Sequence, residues 1–160
     1  FEAAATAARG TGSPLMVHIE SDSNPEALAD SLEEMQVDLS AVIFCHMDRM
    51  IPDLEIHKRL CARGIYMEYD TIARAKYHQD EREVEIVLEM LDAGFGDRLL
   101  MSLDVTRQRM LSYKGSVGLT YILNTFIPLL RSRGISQADI DRIFIQNPAR
   151  AFTRKAALSL

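Results

Sequence analysis

Residues 41–49 read AVIFCHMDR. Val42 to Cys45 form an apolar, β-branched and aromatic run of strand length, and the run stops at His46, with Asp48 and Arg49 just beyond. The same ending recurs along the chain. LMVHIE (15–20) finishes a strand pattern on His18, YMEYD (66–70) on Asp70, and LMSLD (100–104) on Asp104. Between these runs lie helical patterns near 25–36, 52–63 and 80–93. A helix tail at about 1–9 precedes the first strand, and helices near 118–133 and 137–146 follow the last, with a final turn opened by Pro148 that frays into KAALSL. Connections this long cannot be hairpins, so the expected class is α/β, built from parallel βα repeats. All four strand ends then share one face of the sheet, the face where such folds build their sites.

His18, His46, Asp70 and Asp104 are metal-ligand and acid–base residue types. A lone strand-end histidine is more often a hydrogen-bonded core residue, and a lone strand-end aspartate is often a helix cap. Four such endings on one rim point instead to a site whose N and O donors suit zinc or a similar divalent ion. His57, in a helix pattern, and His78, in a loop, are expected at the surface.

The bulk properties fit a single soluble domain: 160 residues, 48% hydrophobic and 26% charged. A net charge of −5 argues against a general nucleic-acid binder. Cys45 and Cys61 are expected as buried, reduced thiols, because their spacing fits neither a zinc ribbon nor a disulfide framework. No apolar run is long enough to span a membrane, and no secretory leader pattern is present, so the expected compartment is the cytoplasm. The chain opens on FEAAATAARGTG, an Ala-rich helix with no N-cap and no initiator Met. The expectation is that upstream sequence is missing.

The stretches TGSPLMVHIE (11–20), VIFCHMDR (42–49), GIYMEYDTIARAKYHQD (64–80), RLLMSLDVTRQRML (98–111) and FIPLLRSRGISQADIDRIFIQNPARAF (126–152) resemble, in order, the phosphotriesterase family of the amidohydrolase superfamily. They are most similar to its phosphotriesterase-related branch, which includes lactonases. The resemblance implies a (β/α)₈ TIM barrel, of which residues 1–160 resemble strands five to eight as one unit, the N-terminal half being absent. It implies that His18 and His46 bind one metal and that Asp104 binds the other and accepts the proton of the attacking water. A His-x-His pair on the first strand and a carbamylated lysine on the fourth complete the family's two-ion site. Neither lies in these residues, so this chain alone is expected to bind metal weakly and to be inactive.

Asp70, followed by Thr71, stands where the family has an aspartate or histidine in a supporting role. Lys76 and Arg107 match a lysine and an arginine that grip phosphate in a branch acting on phosphorylated sugar lactones; that branch's tyrosine is replaced by Met110. A half barrel leaves sheet edges open, and Met16, Ile43, Met67 and Leu100 lie in runs the other half would close. The expected partners are therefore the missing half or a second copy of the chain, together with a small-molecule substrate, with no nucleic acid or membrane. The expected function is metal-dependent hydrolysis of lactones or esters, with phosphotriesters secondary. The alternative is a non-catalytic interaction or small-molecule-binding module on the same scaffold.

Overall fold

In a computed structural model, which describes residues 1–156, four parallel strands form one sheet in the order β1-β2-β3-β4. They are β1 (Leu15–His18), β2 (Val42–Cys45), β3 (Tyr66–Tyr69) and β4 (Leu99–Met101). The helices are α1 (Glu2–Thr11), α2 (Pro25–Glu34), α3 (Met47–Met50), α4 (Leu54–Ala62), α5 (Asp80–Asp92), α6 (Arg107–Ser112), α7 (Ile127–Ser132), α8 (Gln137–Asp141) and α9 (Asn147–Ala151). A π-helical turn, Ile122–Phe126, leads into α7, and another, Arg142–Gln146, joins α8 to α9. The short helices α3 and α6, directly after strand ends, have too few residues to show a helical period. The end of the KAALSL tail, 157–160, lies outside the described residues.

Local chemistry sets the helix starts. Asn24 accepts from the Ala27 amide with Pro25 in the first turn, Asp53 accepts from Glu55, and Ser136 accepts from Asp139. After α4 the chain reverses at Gly64, where φ is 102° and an added Cβ would stand 3.5 Å from Ser40. That glycine delivers the chain into β3.

Alternation along the strands divides the core. Val42, Phe44, Met67, Tyr69 and Leu99 face the helices and are buried among them. Ile43, Cys45, Tyr66 and Leu100 face the other way and cluster with Ala151 of α9. This corrects the expected open apolar face. Met67 lies beneath the helices, and Ile43 and Leu100 are already buried, so of the four only Met16, 50% exposed, is bare. Cys45 and Cys61 are free and buried, and burial raises both thiols to about 12.

His57 is also corrected: it is fully buried. With Leu54, Leu60 and Cys61 it forms the inward stripe of α4. Its Nε2 donates to the Ile51 carbonyl at 2.7 Å and its Nδ1 accepts from the Tyr69 hydroxyl at 2.8 Å. Burial holds it below its usual pKa, as a neutral core imidazole. His78 lies in a loop as expected and is partly buried: its side chain is 17% exposed and faces the buried Glu83.

Candidate metal centre at the strand tips

The C-terminal strand ends open onto one cavity of about 550 Å³, lined by His18, His46, Glu68, Asp70 and Asp104 among others. Two of these residues sit where the backbone turns sharply. His46, between β2 and α3, has φ 67°, and Asp104, past β4, has φ 42°. Each left-handed residue costs about 1–3 kcal/mol and is retained where surrounding structure imposes it. Here the turns aim both side chains into the cavity.

The imidazoles of His18 and His46 meet edge to face, with ring centres 4.3 Å apart and His46 Nε2 2.7 Å from His18 Nδ1. Each ring's far nitrogen is held by a carboxylate. His46 Nδ1 lies 2.5 Å from Asp70 Oδ2, and His18 Nε2 lies 2.5 Å from Glu20 Oε1. Arg49 Nη2 also comes within 2.6 Å of His46 Nδ1; a guanidinium only donates and so would need a lone pair there, whereas the charge-assisted bond to Asp70 assigns that nitrogen the N–H. With both N–H groups given to carboxylates, both remaining lone pairs point at one spot. Such facing lone pairs repel unless they share a proton or turn together onto a cation beside the line that joins them. This is the arrangement in which ligating histidines are oriented by a carboxylate behind them. His46, Asp70 and Asp104 also offer ligand atoms within 4.8 Å of one another. The donor set therefore fits a divalent ion, with two imidazoles and nearby carboxylates supplied by this chain.

Asp104 is dominated by arginines. Its Oδ2 accepts from Arg49 Nη2 at 3.0 Å and from Arg74, and pairs with Arg109 at 3.3 Å. Burial would raise its pKa, but Arg49, with Arg109 and Arg74, outweighs that and holds the carboxyl below its usual value. Arg49 also donates to Asp70 Oδ1 at 2.5 Å, and both partners are nearly inaccessible. The phenol of Tyr77 stacks with Arg49, Arg74 and Lys76, whose cationic groups lie 4.4–5.1 Å from the ring centre.

The structure thus brings His18, His46, Asp70 and Asp104 to one cavity. Lys76 is exposed beside Tyr77, and Arg107 is exposed at the start of α6. Arg109, not Arg107, reaches Asp104. Sequence reasoning assigned no role to Arg49, Arg74, Arg109, Glu68 or Asp48. The HMDR run (46–49) carried a signal for two of them, because charges directly after a buried strand rarely lack partners.

Glu68 is buried on the cavity side of β3 and accepts from the Ser102 hydroxyl at 2.5 Å. Burial and the adjacent Asp70 push it up to about 9. The folded chain then keeps a proton here that the unfolded chain loses near 4.5. Stability from this group is fully present below about 4.5 and falls as pH rises toward 9. Glu68→Gln should flatten that fall. Urea unfolding between pH 5 and 9 should show the variant gaining on the parent by up to about 1.4 kcal/mol per pH unit; parallel curves would dismiss the assignment.

Parallel βα units with an imidazole–carboxylate pocket at the strand tips have the architecture of one side of a (β/α)₈ barrel. A model of the phosphotriesterase family matches residues 1–152, and the chain belongs to that family. It is 37% identical over 153 residues to the phosphotriesterase homology protein of Escherichia coli, covering 95% of this chain and 52% of that protein. It is 29% identical to N-acetyltaurine hydrolase of Bos taurus, covering 97% and 48%. The solved Escherichia coli protein, complexed with phosphate in its active site, superposes with a TM-score of 0.86 over 95% of this chain and 52% of its own. A lactonase from Listeria monocytogenes superposes at 0.88 with 28% identity, over 97% and 49%. The chain therefore spans about half the length of these relatives, and its sheet matches half of a TIM barrel. Among the described residues, no helix is long and apolar enough to cross a membrane.

Proposed function

We propose that residues 1–160 form the C-terminal half of a metal-dependent hydrolase centre acting on lactones, esters or related acyl compounds. The observation that carries this is the convergence of two carboxylate-backed imidazole lone pairs beside Asp104. His18 and His46 hold one divalent ion, most simply zinc, and Asp70 orients His46. Asp104 is this chain's ligand to a second ion, and it takes the proton from the attacking water. The arginines around it keep it ionised. A bound divalent ion supplies Lewis acidity and lowers the pKa of water from about 15.7 toward 7. The remaining ligands and the facing wall come from the other half of the barrel or from a partner chain, an arrangement supported by relatives about twice as long. The acyl substrate class is supported by the names of the relatives, a lactonase and N-acetyltaurine hydrolases.

Lys76 and Arg107 are proposed to take a phosphate carried by the substrate, Lys76 as a point charge and Arg107 as a two-donor fork. The phosphate in the Escherichia coli relative supports an anion subsite. The test uses full-length protein loaded with zinc and a panel of lactones and esters with and without a phosphate. Asp104→Asn should lower kcat at least about 100-fold with KM little changed. Lys76→Ala should raise KM about tenfold for phosphorylated substrates, about 1.4 kcal/mol, and leave neutral lactones unaffected. Absence of lactone and ester turnover above the Asp104→Asn background would defeat the proposal.

One observation favours the alternative of a non-catalytic binding module: three guanidinium groups already satisfy Asp104. The same zinc-loaded sample separates the two. The binding module retains ligand affinity without metal.

A further inference from the structure

A second group of ligand-type side chains lies behind the rim, on the far side of Asp70. Asp48 of α3, His78 and Glu83 of α5 each offer one ligand atom within 4.8 Å of the others. Glu83 is fully buried, and neither of its oxygens has a hydrogen-bond partner. Asp48 is buried as well; its Oδ2 accepts from the amides of Asp70 at 3.0 Å and Thr71 at 2.6 Å, while its Oδ1 has no partner. Two adjacent buried carboxylates with three unpaired oxygens are a large unmet cost.

His78 settles what kind of partner would complete the group. Its Nδ1–H faces the Gln79 carbonyl at 3.1 Å, which leaves the lone pair on Nε2. That nitrogen is itself buried and without a hydrogen bond. It stands 3.3 Å from Glu83 Oε2. A lone pair facing a carboxylate oxygen is repulsive. The separation is long for a charge-assisted hydrogen bond, but it is the spacing of two ligands sharing one ion: bonds of about 2.1 Å at a tetrahedral angle place donors about 3.4 Å apart. A histidine whose other N–H is given to a backbone carbonyl is the usual metal-ligating form. Neighbouring cations are engaged elsewhere: Arg49 with Asp70 and Asp104, Arg82 with Glu85, and Lys76 over Tyr77. A cleft of about 360 Å³, lined by Asp48, His78, Lys76 and Arg82 among others, gives access from solvent.

We propose that Asp48, His78 and Glu83 form a further cation site, for a divalent transition ion such as zinc or manganese. Two carboxylates and one imidazole are donors of intermediate hardness, which suit these ions. Water reaching through the cleft completes the coordination. Because Asp48 also grips the amides of Asp70 and Thr71, the ion ties α3, α5 and the end of β3 together beneath the rim. The site is independent of the hydrolase reading and stands or falls separately from it.

Crystals of the unmutated chain grown with zinc should give an anomalous peak at the zinc edge within about 2.3 Å of Glu83 and His78 Nε2. A zinc-loaded crystal with no peak there would overturn the site. In solution, the His18→Ala/His46→Ala chain, which lacks the rim imidazoles, should retain one zinc after desalting. Adding Glu83→Gln should weaken that zinc more than tenfold, and adding His78→Ala should do the same. If the double variant does not fold, Glu83→Gln in the unmutated chain should lower zinc stoichiometry by one ion. Zinc content indifferent to Glu83 and His78, with Glu83→Gln simply raising Tm, would mean that a shared proton satisfies the pair and that the site is not a metal site.

Discussion

Replacing His46 with alanine in the full-length protein should remove one equivalent of zinc and lower kcat/KM for the proposed acyl substrates at least about a thousandfold, roughly 4 kcal/mol of transition-state stabilisation. The size of the effect follows from geometry. His46 is buried, turned into the cavity by a left-handed backbone, and held by Asp70 at 2.5 Å. His18, its partner at 2.7 Å, is exposed and cannot hold an ion alone. Elemental analysis after dialysis, paired with initial rates, measures both quantities. Unchanged zinc content in the variant would remove His46 from the site. Asp70→Asn should give a weaker version of the same result, because it loosens the ring's orientation while leaving the ligand in place; a 10–100-fold loss in metal affinity is the scale for such supporting residues.

Arg49→Met should be among the most destabilising single changes in the chain. The guanidinium is almost completely buried and bridges Asp70 to Asp104. Removing it strands Asp70, whose side chain is only 2% exposed, without its positive partner. Breaking a buried pair from one side costs about 3–5 kcal/mol, which lowers Tm by roughly 6–20 °C in a chain of this size. The cause is testable in a double-mutant cycle. Asp70→Asn alone should also destabilise, but Arg49→Met/Asp70→Asn should be more stable than Arg49→Met, because the orphaned charge is gone. Urea unfolding of the four proteins decides it. A cost below about 1 kcal/mol for Arg49→Met, or strict additivity, would show that solvent reaches Asp70 and screens it.

The two predictions draw on different levels of information. His46 was legible from the chain because an apolar strand that stops on an imidazole is a pattern along the sequence, and its repetition at His18, Asp70 and Asp104 made a rim. Arg49 was in plain view in HMDR, yet its partners lie 21 and 55 residues away and no local pattern links them. His57 was misplaced at the surface because its charge type was weighed more than its position. Leu54, His57, Leu60 and Cys61 form one stripe, and that spacing already pointed inward. Arg107 was singled out by resemblance as a phosphate contact, whereas Arg109, the arginine of α6 that pairs with Asp104, carried no signal along the chain. Glu83 sits among the apolar residues of α5, and its burial depends on what α3 and the His78 loop place over it.

From the amino-acid order alone came the parallel βα repeat, the common face of the strand tips, and the family to which the chain belongs. The first two depend on hydrophobic period and connection length, which are short-range properties of a chain, and the family on the resemblance of five stretches of sequence. The tertiary structure alone decided which charges meet: the arginine clasp on Asp104, the carboxylates behind both imidazoles, the covered apolar face beneath α9, and the buried Asp48–His78–Glu83 group. Electrostatic partners are chosen by distance in space and by exclusion of water, and neither quantity exists until the strands and helices have packed.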